Sequence, residues 1–187
     1  MYFTKAGLSN TTQTLNLALE CAIESKINSI LVASNSGDTM YKALAADPDN
    51  KVQWICVTHH VGFKGPGIDE MPPEVRADLT AKGVKILTST HLFAGVDRAL
   101  RKHFGGVFPG EIIAQSLRIF GQGTKVAVEI AVMALDAGLI PYGQEVISIG
   151  GSAKGADTAL ILTPAHSDML FSTVVHEVLC WPRAKTY

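Results

Sequence analysis

The stretch LVASNSGDTMYKALA, residues 31–45, passes from an apolar run through five small or polar residues into a helical pattern. Ser34, Asn35, Ser36, Gly37 and Asp38, with Thr39 behind them, would leave backbone N–H groups and hydroxyls at the positive end of a helix. An anion such as a phosphate is stabilised there. The same residue types also cap helices, so both roles stand at this turn. A second glycine-rich loop, GGSAKGA at residues 150–156, offers Gly150, Gly151 and Gly155 for close backbone approach, and Ser152, Lys154, Asp157 and Thr158 as polar groups beside it. On this reading Gly37 and Gly151 lack side chains because a phosphate lies against them; a flexible hairpin is the alternative for the second loop.

A third candidate is GQGTKVAVEIAVMALDAG. Gly121 and Gly123 break the chain before a helix whose first turn carries Thr124 and Lys125, so backbone N–H groups and an ammonium could face one anion. Lys125 and Glu129 stand four apart on one helical face. As a surface ion pair they would contribute about 0.3–0.5 kcal/mol. Val126, Val128 and residues 130–134 make this helix apolar almost all round, however, and a buried Lys and Glu must be paired or functional. They are read as a pocket-lining pair able to exchange a proton with a substrate.

His59, His60 and His91, with Thr58 and Thr88, fall at neighbouring strand ends. Three imidazoles would suit a divalent metal, but no HExxH, HxH or carboxylate at ligand spacing accompanies them. Hydrogen bonding to a ligand or backbone is favoured over metal, with His91 reaching the pocket. The catalytic candidates are therefore Lys125, Glu129 and His91. His103, His166 and His176 have no neighbouring pattern and are read as structural, and Trp54 and Phe63 as packing residues. No GxSxG elbow is present.

These residues need a scaffold that brings strand ends together. Asn10 or Thr11 can cap a helix whose Leu15, Ala18, Leu19, Ala22 and Ile23 share a face. Residues 29–34 and 52–60 are nearly continuous apolar runs, as expected of parallel strands covered on both faces. MPPEVRADLTAKG predicts a helix and VKILTST a further strand, which is βαβ order. Two more helices follow, the second closed by Gly138. QEVISIGG and DTALILTP then form a hairpin that adds an antiparallel member. In such α/β sheets ligands bind beyond the carboxyl ends of the strands.

With 187 residues, 47% hydrophobic, the chain can bury the core of one domain spanning residues 1–187. Lys and Arg number 16 against 17 Asp and Glu, with a local excess only in DRALRKH, residues 97–103, so a nucleic-acid partner is not expected. Cys21, Cys56 and Cys180 form no CxxC pair and read as buried thiols in a reducing compartment. No signal peptide or membrane-spanning run is present, which predicts a cytoplasmic protein without a membrane partner. A homo-oligomer is compatible with the sequence.

ILVASNSGDTMYKALA resembles the strand, phosphate turn and helix of the C-terminal regulatory domain of pyruvate kinase, and ISIGGSAKGADTALIL resembles that domain's closing loop and strand. In that enzyme the two elements bind the phosphates of a sugar bisphosphate effector. The segments VTHHVGF, STHLFAGVDRAL, KHFGGVFPGEIIAQSLRIFGQGTKVAVEIAVMALDAGLIP, GGSAKGADTALILTPAHS and EVLCWPR resemble a stand-alone family with the pyruvate kinase C-terminal domain-like fold, in which flavin mononucleotide (FMN) is associated with the pocket. The resemblance implies a three-layer α/β/α fold, mostly parallel with antiparallel strands near the C-terminus. Asp38 follows Gly37 where the pyruvate kinase turn is basic, so one phosphate carrying a polyol suits the turn better than a bisphosphate. The catalytic barrel has no counterpart in these residues, so transfer from phosphoenolpyruvate is not implied. Two readings follow. One is a small-molecule enzyme holding a phosphate-bearing compound such as FMN; the other is a non-catalytic regulatory module binding a phosphorylated metabolite.

Overall fold

Apolar side chains on both faces of a strand require helices above and below it. The computed structural model, which describes residues 1–184, meets that requirement with three layers. In chain order the elements are β1 (Tyr2–Lys5), α1 (Thr11–Ser25), β2 (Ser29–Ala33), α2 (Asp38–Ala46), β3 (Gln53–Thr58), α3 (Pro73–Ala81) and β4 (Lys85–Thr88). There follow α4 (Gly95–Phe104), α5 (Pro109–Arg118), α6 (Gln122–Asp136), β5 (Val146–Gly150), β6 (Thr158–Thr163) and β7 (Val174–Ala184). Short 3-10 segments lie at Leu8–Asn10 and Ser167–Ser172.

The strands form one sheet in the order β1-β7-β6-β5-β2-β3-β4. β5, β2, β3 and β4 run parallel, with Ile30 opposite Trp54 and Ile147. β6 is antiparallel to both β5 and β7, as the short loop between β5 and β6 predicts, and β1 lies parallel to β7 at the edge. One face of the sheet packs Ile30, Val32, Cys56 and Ile149 against Leu15, Ala18 and Met40 of α1 and α2 and Leu79 of α3. The other packs Leu31, Ile55, Val57 and Leu160 against α6. Each of the Ile, Leu, Val and Met side chains withdrawn from water contributes about 1.5–3 kcal/mol before chain entropy is counted. Helix α6 is the centre of its layer, with twelve of its fifteen residues buried.

Capping of α1 differs from expectation. Asn10 precedes the helix but its side chain makes no cap, because Asn10 Nδ2 donates to the Lys5 carbonyl at 2.7 Å. Thr11 Oγ1 donates to the Leu8 carbonyl at 2.8 Å and accepts the Ala156 amide at 3.0 Å, tying the helix start to the 150–156 loop. The end of α6 is as expected: Gly138, at φ 69°, reverses the chain, and the Leu139 amide returns to the Ala134 carbonyl at 3.0 Å. The three cysteines are free thiols; Cys56 and Cys180 are buried as expected but Cys21 only half-buried, and burial pushes Cys56 up to about 12. Among the described residues no helix is long and apolar enough to cross a membrane.

Candidate functional site

Because β2, β3, β4 and β5 are parallel, their carboxyl ends share one edge of the sheet. The start of β6 and the N-terminus of α6 reach the same edge. The turn after β2 is bonded largely to its own neighbours. The Ser34 amide donates to the Val57 carbonyl at 3.1 Å. Asn35 Oδ1 accepts the His59 amide at 3.1 Å, so its amide nitrogen faces His59 Nε2 at 3.2 Å. That nitrogen is a donor, which makes Nε2 the acceptor and places the imidazole proton on Nδ1, 2.6 Å from Glu70 Oε2. Ser36 Oγ accepts the Asp38 amide at 3.4 Å. No side chain caps α2; Asp38 instead sets its carboxylate in the first turn, where the helix dipole favours it. A Cβ on Gly37 would stand 2.5 Å from Val75 Cγ1. At φ 93° the backbone itself favours glycine, and the missing side chain also leaves room for Val75 of α3.

Beyond β3 and β4, Thr58 and Thr88 hydroxyls meet at 2.7 Å, and Arg76 links Thr88 at 3.0 Å to Asp69 at 2.8 Å. The three imidazoles form a ring cluster with Phe63: His59 stacks on Phe63 at 3.8 Å between centroids, and His91 lies 5.2 Å from His59, 5.4 Å from His60 and 5.3 Å from Phe63. Phe63 is thus a stacking partner of His59 and not only loop filling. Burial, reinforced by His59, Lys125 and His60 and opposed by Glu129, lowers His91 from 6.5 to about 4, so its ring is neutral at pH 7.

The second glycine loop closes on the protein as well. Asp157 is fully buried; its Oδ2 accepts the amides of Gly7 at 2.9 Å and Ser152 at 3.2 Å, and its Oδ1 accepts the Thr158 hydroxyl at 2.9 Å. Asp157 and Thr158 therefore hold the loop. A Cβ at Gly150 would lie 2.2 Å from the Gly123 carbonyl oxygen, and one at Gly151 would lie 2.0 Å from that of Gly155. One at Gly123 would fall 2.2 Å from Thr158 Oγ1, and one at Gly155 2.3 Å from Thr11 Oγ1. Gly150 and Gly151 let backbone approach backbone, while Gly123 and Gly155 make room for the Thr158 and Thr11 side chains.

Lys125 does reach a cavity. Its ammonium donates to Glu129 Oε2 inside the protein, both side chains being at most 7% exposed. Glu129 Oε1 accepts the Phe93 amide at 3.0 Å, and Lys125 Nζ lies 5.6 Å from the centre of the Phe93 ring. Burial lowers the Lys125 pKa, with Arg118 and Arg98 adding to the effect and Glu129 opposing it. The cavity, about 880 Å³, is walled by α4, α5 and the first turn of α6. Arg98 and Arg101 come from α4, Arg118 from α5 and Lys125 from α6, while Phe93, Val107, Ile112 and Ile119 supply an apolar side. Arg101 pairs with Glu111 at 2.7 Å, Arg118 Nε donates to Gln122 at 2.7 Å, and the Arg98 guanidinium lies 5.3 Å from the centre of the Phe63 ring. Four cations against Glu111 and the buried Glu129 make this wall electropositive.

A family model for the pyruvate kinase alpha/beta domain matches residues 12–162, from the first turn of α1 to the end of β6. The chain belongs to the pyruvate kinase alpha/beta domain family. Solved structures similar to it include a pyruvate kinase from Cryptosporidium parvum, at 16% identity and TM-score 0.41, with 80% of this chain and 22% of that one covered. The Cryptosporidium parvum pyruvate kinase in complex with ADP is 17% identical at TM-score 0.41, with 88% and 23% covered. The chain thus spans under a quarter of the length of those enzymes.

Within this alpha/beta domain the residues expected at the site divide into three groups. Lys125 lines the cavity, and Glu129 anchors it from beneath. His91 and His59 stand beside it, joined through Phe63 to Arg98. Residues 34–39, Thr58, Thr88, Gly123 and residues 150–158 are at the same sheet edge but not among the cavity's lining residues. Arg98, Arg101, Arg118 and Phe93 were not foreseen. The signal lay in DRALRKH, where Arg98 and Arg101 are three apart and so share a helical face.

Proposed function

We propose that this alpha/beta domain binds a phosphate-bearing small molecule in the cavity between α4, α5 and α6, with FMN as the candidate ligand. One observation carries the reading: three helices converge four cations, Arg98, Arg101, Arg118 and Lys125, on a single concave wall. Guanidinium groups bind phosphate through paired N–H donors, and a partly enclosed wall strengthens each contact relative to water. Phe93, Val107, Ile112 and Ile119 give the remainder of the wall an apolar character suited to a flat ring. The donor set therefore fits FMN: the arginines and Lys125 would hold its phosphate, and the apolar side would hold its ring. The bound flavin would supply electron or hydride transfer; the chain's own residues bind and orient it.

A non-catalytic, effector-binding role is the second reading, favoured by the engagement of both Glu129 oxygens. A carboxylate that already accepts an ammonium and a backbone amide is poorly placed to take a substrate proton.

Thermal unfolding with added ligand tests the proposal. A ligand about a hundredfold above its Kd stabilises the fold by about 2.7 kcal/mol. For a chain of this size that raises Tm by about 5–11 °C. FMN should do so, and riboflavin, which lacks the phosphate, should do much less. A sugar bisphosphate that outperforms FMN would favour the effector-binding reading. No response to FMN or to any phosphorylated compound in a broad panel would overturn the phosphate reading.

A further inference from the structure

We infer that α4 is a hinged arm that closes over the cavity, carrying Arg98 and Arg101 onto the bound anion. The inference rests on the reading that the cavity holds a phosphate.

Helix α4 is amphipathic, yet it has no buried residue. Val96 is 72% and Phe104 74% exposed, so only Leu100, itself half-buried, turns the apolar stripe of α4 toward the protein. A helix without buried apolar contacts opens at low cost. The ties that hold it are few and polar. Asp97 Oδ2 accepts the Gly110 amide at 2.7 Å, Arg101 pairs with Glu111 at 2.7 Å, and Arg98 rests on the Phe63 ring. The ion pair and the ring contact are worth little where the arginines reach solvent, which leaves the part-buried Asp97 hydrogen bond as the main tie.

The two ends of α4 differ in a way that suits a hinge. At its start Gly95 is fitted tightly, since a Cβ there would stand 2.7 Å from Thr90 Cγ2. At its end Gly105 and Gly106 follow one another at φ 74° and 88°, with open space around both. Two adjacent left-handed glycines in solvent can change φ and ψ with little steric resistance. An anion in the cavity attracts both arginines at once, and differential affinity for the closed form is what shifts such an equilibrium. Arg98 would then exchange the Phe63 ring for the phosphate.

Amide hydrogen exchange with FMN as the probe, beside calorimetric titration of the same sample, tests this. Saturation should slow exchange at residues 99–104 by about tenfold to a hundredfold, the range for a ligand well above its Kd that binds only the closed form. The amides of α3, on the opposite face of the sheet, should change little. Glu111→Gln should speed exchange at residues 99–104 in the ligand-free protein. Heat of FMN binding with unchanged exchange in α4 would overturn the arm and leave the phosphate reading standing. No effect of Glu111→Gln would also overturn it. Absence of binding by both FMN and pyrophosphate would overturn the phosphate reading and ligand-driven closure together.

Discussion

Glu129 Oε1 accepts the backbone N–H of Phe93 at 3.0 Å, so a helix in one layer holds the loop that follows β4. The same carboxylate carries the Lys125 ammonium on its other oxygen. Removing one partner from a buried ion pair leaves the other charge uncompensated, at about 3–5 kcal/mol. Lys125→Met should therefore lower Tm by roughly 6–20 °C as well as weaken phosphate binding. Lys125→Met with Glu129→Gln, whose neutral side-chain oxygen can still accept the Phe93 amide, should recover much of the stability and none of the binding. A single variant that melts like the wild type would show that the pair is not buried in solution.

The glycines of the sheet edge yield a prediction about folding. Gly151→Ala sets a methyl group about 2 Å from the Gly155 carbonyl oxygen, and Gly150→Ala does the same toward Gly123. Neither neighbour is a flexible side chain. Both variants should lose several kcal/mol or fail to accumulate as folded protein. Gly143→Ala, at φ 76° but in open space, should cost only about 1 kcal/mol. Urea unfolding of the three variants checks the ranking. A fully stable Gly151→Ala would mean that the loop has room for a ligand after all.

Acid sensitivity follows from His91. The unfolded side chain takes a proton near 6.5, whereas the folded one takes it only near 4, chiefly because it is buried. Between those values the unfolded chain binds more protons, so stability falls as pH falls. The contribution is complete above about pH 6.5 and is lost on the way down to about pH 4. Asp69 and Asp78 are held below 3.8 by the Met71 amide and by Lys82, so their losses belong to more acid conditions. Urea unfolding from pH 7 downward should show the decline, and His91→Gln should flatten it. An unchanged slope in that variant would assign the window to another group.

Arg118 offers the cleanest test of the cationic wall, because its Nε is already positioned by Gln122 at 2.7 Å. Arg118→Gln should weaken FMN binding by about 1.5–3 kcal/mol, the range for a hydrogen bond to a charged group. That is roughly a 10- to 150-fold rise in Kd, with Arg118→Lys intermediate. Equal affinity in Arg118→Gln and wild type would place the phosphate elsewhere on the sheet edge.

The scaffold was legible where burial leaves a periodic mark. Ile30, Leu31 and Val32 announce a covered strand, and the apolar circumference of α6 announces a central helix. β1 escaped notice because only Phe3 of its four residues is buried, and β7 because its first five residues are exposed. Helix α4 carries an amphipathic pattern, but with no residue buried it lacks the apolar stripe of a core helix. For the site, Lys125 and Glu129 were readable as charges on an apolar helix. The arginines were not, since their partners Glu111, Gln122 and Phe63 lie in other segments that only tertiary packing brings together. Glycine spacing in the 150–156 loop was ambiguous in principle. A backbone that must approach a phosphate and one that must approach another backbone call for the same residue.

The position of β5 between β2 and β6 has a consequence for biosynthesis. A ribosome delivers β2, β3 and β4 with their helices long before Val146 opens β5. Until then β2 shows an unpaired edge of N–H and C=O groups flanked by Ile30, Leu31 and Val32, which is a template for pairing with another nascent chain. β1 waits longer still, because Tyr2 has no partner before Trp181 emerges. The half-made protein is thus the more aggregation-prone species, because its central strand lacks one neighbour until the last third of the chain is made.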